Sequence, residues 1–113
     1  MVLNFYPQIW KDLSASDAKL RAVCKVHLIR LRERQFGGLR LEKVTAALWE
    51  LKVSWNKQEF RFLFFYGSQQ AINFVHFFLK KTRKTPHKEI ALATVRMKEM
   101  QLDQSIGLHG IPH

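Results

Sequence analysis

The clearest pattern in the chain lies between residues 49 and 79. Trp49, Leu51, Val53 and Trp55 alternate with Glu50, Lys52 and Ser54, the period of two expected of a strand buried on one face. Asn56-Lys57 then marks a tight turn. Next come two runs, 60–66 and 71–79, apolar at nearly every position and separated by Gly67-Ser68. Strands of that kind have both faces covered at least in part, so these two are expected at the centre of a sheet. The short turns make the three strands an antiparallel meander.

Helical spacing flanks the meander on both sides. Leu20, Val23, Cys24, His27, Leu28 and Leu31 recur at intervals of three and four, which predicts a helix over 14–35. Ser14 is its expected cap, Asp17 an acidic partner three residues on, and Gly37-Gly38 its stop. Arg21, Lys25, Arg30, Arg32 and Arg34 fall largely off the apolar stripe and read as a solvated face. His27 and Cys24 lie in the stripe and read as a partnered core histidine and a packing thiol. The second helix starts at Thr85-Pro86, with Thr85 at the cap and Pro86 at the first helical position. Ile90, Ala93, Val95, Met97 and Met100 supply its apolar residues.

The remaining segments are less patterned. Residues 1–5 read as a short extra strand closed by Tyr6-Pro7, and 39–48 as either a short helical turn or an irregular approach to the sheet. Beyond Gln101 the periodicity dissolves, and Gly107, Gly110 and Pro112 predict a loose tail. The expectation is one domain over 1–100 with a tail at 101–113. Its class is α+β: an antiparallel sheet, three strands of meander plus one extra, packed with two main helices.

Charge changes this picture from a fold to a partner. The 113 residues hold 19 Lys+Arg against 9 Asp+Glu, a formal net charge of +10. A small domain this basic usually meets nucleic acid or an acidic protein. Lys80, Lys81, Arg83, Lys84 and Lys88 crowd into ten residues without one acid, where an apolar strand runs into a helix start. Such a conjunction suits phosphate, because clustered cations and free helix amides both favour anions. Crowded like charge also favours the neutral amine of a lysine, which can accept a proton. An arginine keeps its charge and can brace a five-coordinate phosphate.

Arg61 and His76 are the polar exceptions in the two apolar strands. A charge in a central strand is costly unless paired or open to a cleft. Arg61 therefore either pairs with a carboxylate, with Glu50 as a candidate, or faces a cleft where an anion sits. His76 reads as a hydrogen-bonded structural residue. Several chemistries lack support: there is no glycine-rich phosphate loop, no paired-histidine zinc helix and no Ser/His/Asp set. The acids are too scattered for an obvious two-metal nuclease. One cysteine excludes an internal disulfide and a Cys-based zinc site. No metal or cofactor is expected. The apolar runs are too short to span a bilayer, and no leader pattern opens the chain, so a cytoplasmic protein without membrane contact is expected.

Residues 48–52 (Leu-Trp-Glu-Leu-Lys), 60–65 (Phe-Arg-Phe-Leu-Phe-Phe), 77–86 (Phe-Phe-Leu-Lys-Lys-Thr-Arg-Lys-Thr-Pro) and 89–93 (Glu-Ile-Ala-Leu-Ala) together resemble the phage-derived, HigB-like toxins of the RelE/ParE superfamily. The likeness spans about residues 45–100. It implies a compact α/β toxin of a type II toxin–antitoxin system, a helix-turn-helix antitoxin as partner, and oligomers through that complex. It also implies mRNA cleavage on the ribosome. By that resemblance Arg61, Lys80 and Lys81 are the catalytic candidates, with Lys52, Lys57, Arg83, Lys84 and Lys88 on RNA. Lys52 departs from the pattern, standing where arginine is common. The general acid has no assignment: Tyr66, His109 and His113 are the side chains on offer. The alternative from a different class is a binding protein without catalysis, either a nucleic-acid-binding module or a ParE-like inhibitor of DNA gyrase.

Overall fold

In the computed structural model, which describes residues 1–68 and 70–112, the chain begins with strand β1 (Val2–Phe5) and turns at Tyr6 into helix α1 (Pro7–Ser14). Pro7 closes the strand as expected but also opens a helix, because its fixed φ and missing N–H suit a first helical position. Helix α1 is an element the sequence pattern did not predict, and the helix expected over 14–35 is correspondingly shorter, at 18–32. Ser14 ends α1 rather than capping the next helix, and α2 (Ala18–Arg32) starts at Asp17, whose carboxylate accepts from the Lys19 amide at 2.7 Å. Asp17→Ala is expected to cost about 1 kcal/mol through loss of this cap, read as a fall of a few degrees in the thermal midpoint.

After α2 come β2 (Arg40–Lys43), β3 (Trp49–Trp55), β4 (Gln58–Tyr66), β5 (Ala71–Lys80), α3 (His87–Leu102), a 3-10 turn (Gln104–Ile106) and β6 (Leu108–His109). The strands form one sheet in the order β2-β3-β4-β5-β1-β6. Strands β2 to β5 are the antiparallel meander, while β1 lies parallel to β5 with Val2 opposite Ala71 and Phe5 opposite Phe74. The fold is α+β as expected, but with a mixed six-stranded sheet and three helices rather than a three-stranded antiparallel core with two. Two segments make the difference. Within 39–48, Arg40–Lys43 pairs with β3 although it has no apolar alternation; it is an edge strand held by backbone bonds, and its charges guard that edge. The segment beyond residue 101 is not a loose tail through the described residues: Leu108 and His109 pair with Phe5 and Asn4.

The two faces of the sheet do different work. One carries Leu51, Val53, Phe60, Phe62, Phe64 and Phe74, which pack with Ile9 and Leu13 of α1 and Leu20, Cys24, Leu28 and Leu31 of α2 as the main core. The Cys24 thiol, pushed up to about 12 by burial, is a packing group there, as its place in the stripe predicts. His27 is half-buried at the margin of the stripe, and its Nδ1 lies 2.8 Å from the Val23 carbonyl. The opposite face carries Leu63, Phe65 and Val75, which pack with Ala93, Met97 and Met100 of α3 as a smaller core.

A bulge in β5 is needed to serve both. Leu63 stands opposite His76 and Phe64 opposite Phe74, so Val75 is an extra residue. Val75 and His76 therefore both face α3, while Phe74 stacks on Phe5 and Phe77 packs on Phe60 and Phe62 on the main-core side. The extra residue also decides which face receives the end of the strand: Phe78 and Lys80 come to the side of Arg61.

Candidate functional site

Helix α3 covers only part of its face of the sheet. The rest, formed by β2, β3 and β4 with the end of β5, presents a patch of charge. Register places Arg40, Lys52, Arg61 and Phe78 in one row across the strands, Glu42, Glu50, Leu63 and His76 in the next, and Ser54, Glu59 and Lys80 on the other side. Lys80 stands opposite Glu59, diagonal to Arg61, so their Cα atoms are about 7–8 Å apart by sheet geometry.

Arg61 resolves the choice its sequence context left open. It is 5% exposed and Glu50 is 2% exposed, and Arg61 Nε donates to Glu50 Oε1 at 3.1 Å. Its Nη1 donates to Glu59 Oε2 at 3.0 Å and to the Phe60 carbonyl at 3.3 Å. A buried charge persists only when its partners replace water, and here two carboxylates do so. Among the described residues Nη2 makes no hydrogen bond, and it is the one nitrogen of Arg61 left for an anion. Glu50 Oε2 accepts from Thr85 Oγ1 at 2.8 Å. Thr85 is thus not the helix cap: Pro86 stands at the cap position without a side-chain bond, and α3 begins at His87. The chain Arg61–Glu50–Thr85 ties the segment after β5 to the middle of the sheet.

Around this pair the charges alternate. Arg40 Nη2 donates to Glu59 Oε2 at 2.7 Å and to Ser54 Oγ at 2.8 Å, and Ser54 Oγ donates to Glu59 Oε1 at 2.8 Å. Lys52, expected on RNA, pairs with Glu42, and its hydrogen bond holds the Glu42 carboxyl below the usual carboxylate range. Burial by itself pushes the Glu59 carboxyl up, but the bonds from Ser54, Arg40 and Arg61 outweigh it and hold it at about 2. A depressed carboxyl stabilises the fold above its unfolded value and ceases to do so as pH falls through the folded one. The thermal midpoint should therefore fall between about pH 4.5 and pH 2, and Glu59→Gln should flatten that part of the profile.

The cations past the strand end are of another kind. Lys80, Lys81, Arg83, Lys84 and Lys88 make no ion pair among the described residues, and Lys81, Arg83, Lys84 and Lys88 are exposed. Thr82 Oγ1 donates to the Lys84 carbonyl at 2.7 Å, which folds the segment on itself. Lys57 lies at the same end of the sheet, on the Asn56-Lys57 hairpin turn where both residues have positive φ (52° and 59°), as a type I′ turn requires. The structure thus brings Lys80 to Arg61's face and Lys57 to the end where the 81–84 segment lies. Lys81 comes directly after the last residue of β5 and has no strand register to aim it. Neither described cavity is lined by Arg61, Lys80 or Lys81.

The acid candidates are not with them. Tyr66 continues the alternation of Phe62 and Phe64 onto the opposite face, where it meets Trp49 edge-on at 5.9 Å. His109 lies on β6, at the far side of β1 from the charged strands, and His113 lies outside the described residues. His76 is structural, as its position in a buried strand suggests: Nε2 bonds Glu89 of α3, and the Nδ1 side faces Arg96, whose Nη1 donates to the Val75 carbonyl at 3.0 Å. Sequence reasoning missed the part played by Glu59 and Arg40. Glu59 could have been found from its place two residues before Arg61 on the same strand face; Arg40 could not, because β2 carries no strand signal.

Residues 11–98 match the family described as "Phage derived protein Gp49-like (DUF891)". The chain belongs to this family. The Gp49-like proteins are a family of RelE/ParE-like toxins, and the matched span runs from α1 to α3, taking in the charged patch and every cation of the 80–88 window. No curated protein matches the chain by sequence. The Gp49-like match leaves out β1, the 3-10 turn and β6. Among the described residues no helix is long and apolar enough to cross a membrane.

Proposed function

We propose that this Gp49-like protein is the toxin of a type II toxin–antitoxin pair, HigB-like in its motifs, and that it cleaves mRNA on the translating ribosome in the cytoplasm. The observation that carries this reading is the run of cations from Lys80 to Lys88, which make no ion pair among the described residues, set beside an interlocked charge network on the sheet in a member of a toxin family. In the proposed reaction the ribose 2′-oxygen attacks the adjacent phosphorus and loses its proton to a lysine amine. Lys80 is preferred to Lys81 for that step because it shares Arg61's face. Charge accumulating on the phosphorane would meet Lys81, Arg83 and the one free nitrogen of Arg61. The 5′-oxygen leaves with a proton from water or from the ribosome, since Tyr66 and His109 lie away from the cations. Lys57, Lys84 and Lys88 would hold the flanking phosphates. Lys52, already paired with Glu42, would contribute only if RNA displaced that partner. The cognate antitoxin, a helix-turn-helix protein with an acidic segment, would cover the same cations.

One observation favours a second reading. Arg61 gives two of its three nitrogens to Glu50, Glu59 and a carbonyl, which leaves little of it for chemistry and suits a protein that binds without cleaving, a gyrase inhibitor among them. Mapping mRNA 5′ ends in a translating extract separates the two. New ends positioned by codon support the nuclease. Intact mRNA with blocked DNA supercoiling supports the inhibitor, and intact mRNA with neither leaves a binding module.

A further inference from the structure

Helix α3 shows the sheet only one of its faces, the one on which Ala93, Met97 and Met100 are buried. At about 3.6 residues per turn, Val95 and Leu102 lie almost directly opposite those three, with Ala91 and Leu92 one turn before Val95. Leu92 is 40% exposed, Val95 54% and Leu102 89%, and Ala91 is exposed as well. The outer side of a surface helix ordinarily carries charged and polar residues. Here it carries an aliphatic ridge about three turns, or roughly 16 Å, long.

The polar side chains of α3 sharpen the ridge rather than interrupt it. Both carboxylates of the helix are engaged toward the sheet: Glu89 bonds His76, and Glu99 Oε2 accepts from Tyr6 Oη at 2.8 Å. Arg96 turns the same way, donating to the Val75 carbonyl and lying 4.7 Å from the centre of the Tyr6 ring. The lysines left outside are Lys88, at the N-terminal end of the ridge, and Lys98, along its side. Both are exposed and make no ion pair among the described residues.

The chemistry of the ridge narrows what covers it. Nucleic acid pairs with cations but gains nothing from Leu92, Val95 and Leu102. A second copy of the chain would set another net charge of +10 against the first, which opposes association. Helices that lie in a membrane interface carry Trp and Phe among their apolar residues, and the ridge carries neither. A helix of opposite charge fits. Its apolar residues, recurring at every third and fourth position, would pack along the ridge, and carboxylates on its flanks would meet Lys88 and Lys98.

We propose that the outer face of α3 docks an amphipathic helix of a partner protein, about three turns long and acidic along its flanks. The docking is independent of mRNA cleavage. The test uses full-length protein and a fluorescein-labelled helical peptide with leucines at i, i+3, i+7 and i+10 and glutamates beside them. One control peptide has the same residues in permuted order, and another has lysine in place of glutamate. Fluorescence anisotropy should show the first peptide bound about tenfold more tightly than either control. Val95→Glu, a change at an exposed position, should weaken that binding about tenfold and leave the circular dichroism and the mapped mRNA 5′ ends as in the wild type. Lys98→Glu should weaken the acidic peptide and strengthen the lysine one. The proposal is overturned if the permuted peptide binds as well as the first, which is charge attraction alone, or if Val95→Glu leaves binding unchanged. It is equally overturned if Val95→Glu instead abolishes a dimer of the free protein or its binding to phosphatidylglycerol vesicles, which gives the ridge to a second copy or to a membrane. No RNA enters the binding test, so its failure leaves the mRNA reading standing, and intact mRNA leaves the docking standing.

Discussion

Replacing Arg61 by alanine is expected to lower the unfolding free energy by about 3–5 kcal/mol, because it strands the Glu50 carboxylate in a buried site. Glu50 is 2% exposed and, among the described residues, has only Thr85 as a second partner. Against a total stability of about 5–15 kcal/mol for a small domain, that loss leaves a large unfolded fraction at growth temperature. Chemical denaturation of the purified variant measures it directly. The double variant Glu50→Leu, Arg61→Leu should recover most of the loss, since exchanging both members of a buried pair for apolar groups is often neutral. This matters for function as much as for stability. Loss of growth arrest in the single variant would be a folding effect, whereas the double variant removes the guanidinium and keeps the scaffold. If the single variant is as stable as the wild type, the pair is solvated and holds nothing together.

Changing Lys81, Arg83 and Lys84 together to glutamine should do the reverse: little to stability and much to binding. All three are exposed and make no ion pair among the described residues. On single-stranded RNA each phosphate contact contributes about 0.7 to the slope of log K against log salt. Three lost contacts therefore make the slope about 2 units shallower, equivalent to about a hundredfold in affinity at 0.1 M salt. Fluorescence anisotropy across a salt series reads both numbers, and growth arrest on induction should be lost in parallel. An unchanged slope would mean that these cations are merely solvated and that RNA, if bound, lies elsewhere. Because the buried pair and the exposed run answer to different measurements, the two variants separate the part of the patch that holds the fold from the part offered to a partner.

Local chemistry in the chain was enough for the elements that carry a strong period. The alternation from Trp49 to Trp55, the apolar runs around Phe62 and Phe74, the stripe from Leu20 to Leu31 and the Thr85-Pro86 break each express backbone preference and side-chain burial within a few residues, and each lies where the pattern puts it to within a few positions. The crowding of Lys80 to Lys88 was legible for the same reason. What needed the assembled molecule was every relation between residues far apart in sequence. The parallel seat of β1 beside β5, the pairing of charged β2 with β3 and the return of β6 to Asn4 are held by backbone bonds to distant strands, and leave no periodic trace of their own. The bulge at Val75 turns the end of β5 toward Arg61, and no alternation rule locates it. Thr85 has the look of a helix cap but bonds Glu50 because the sheet brings that carboxylate within reach. Arg61 had two readings open, a cleft or a carboxylate, and desolvation chose between them: with its side chain 5% exposed, its charge could remain only with Glu50 and Glu59 beside it.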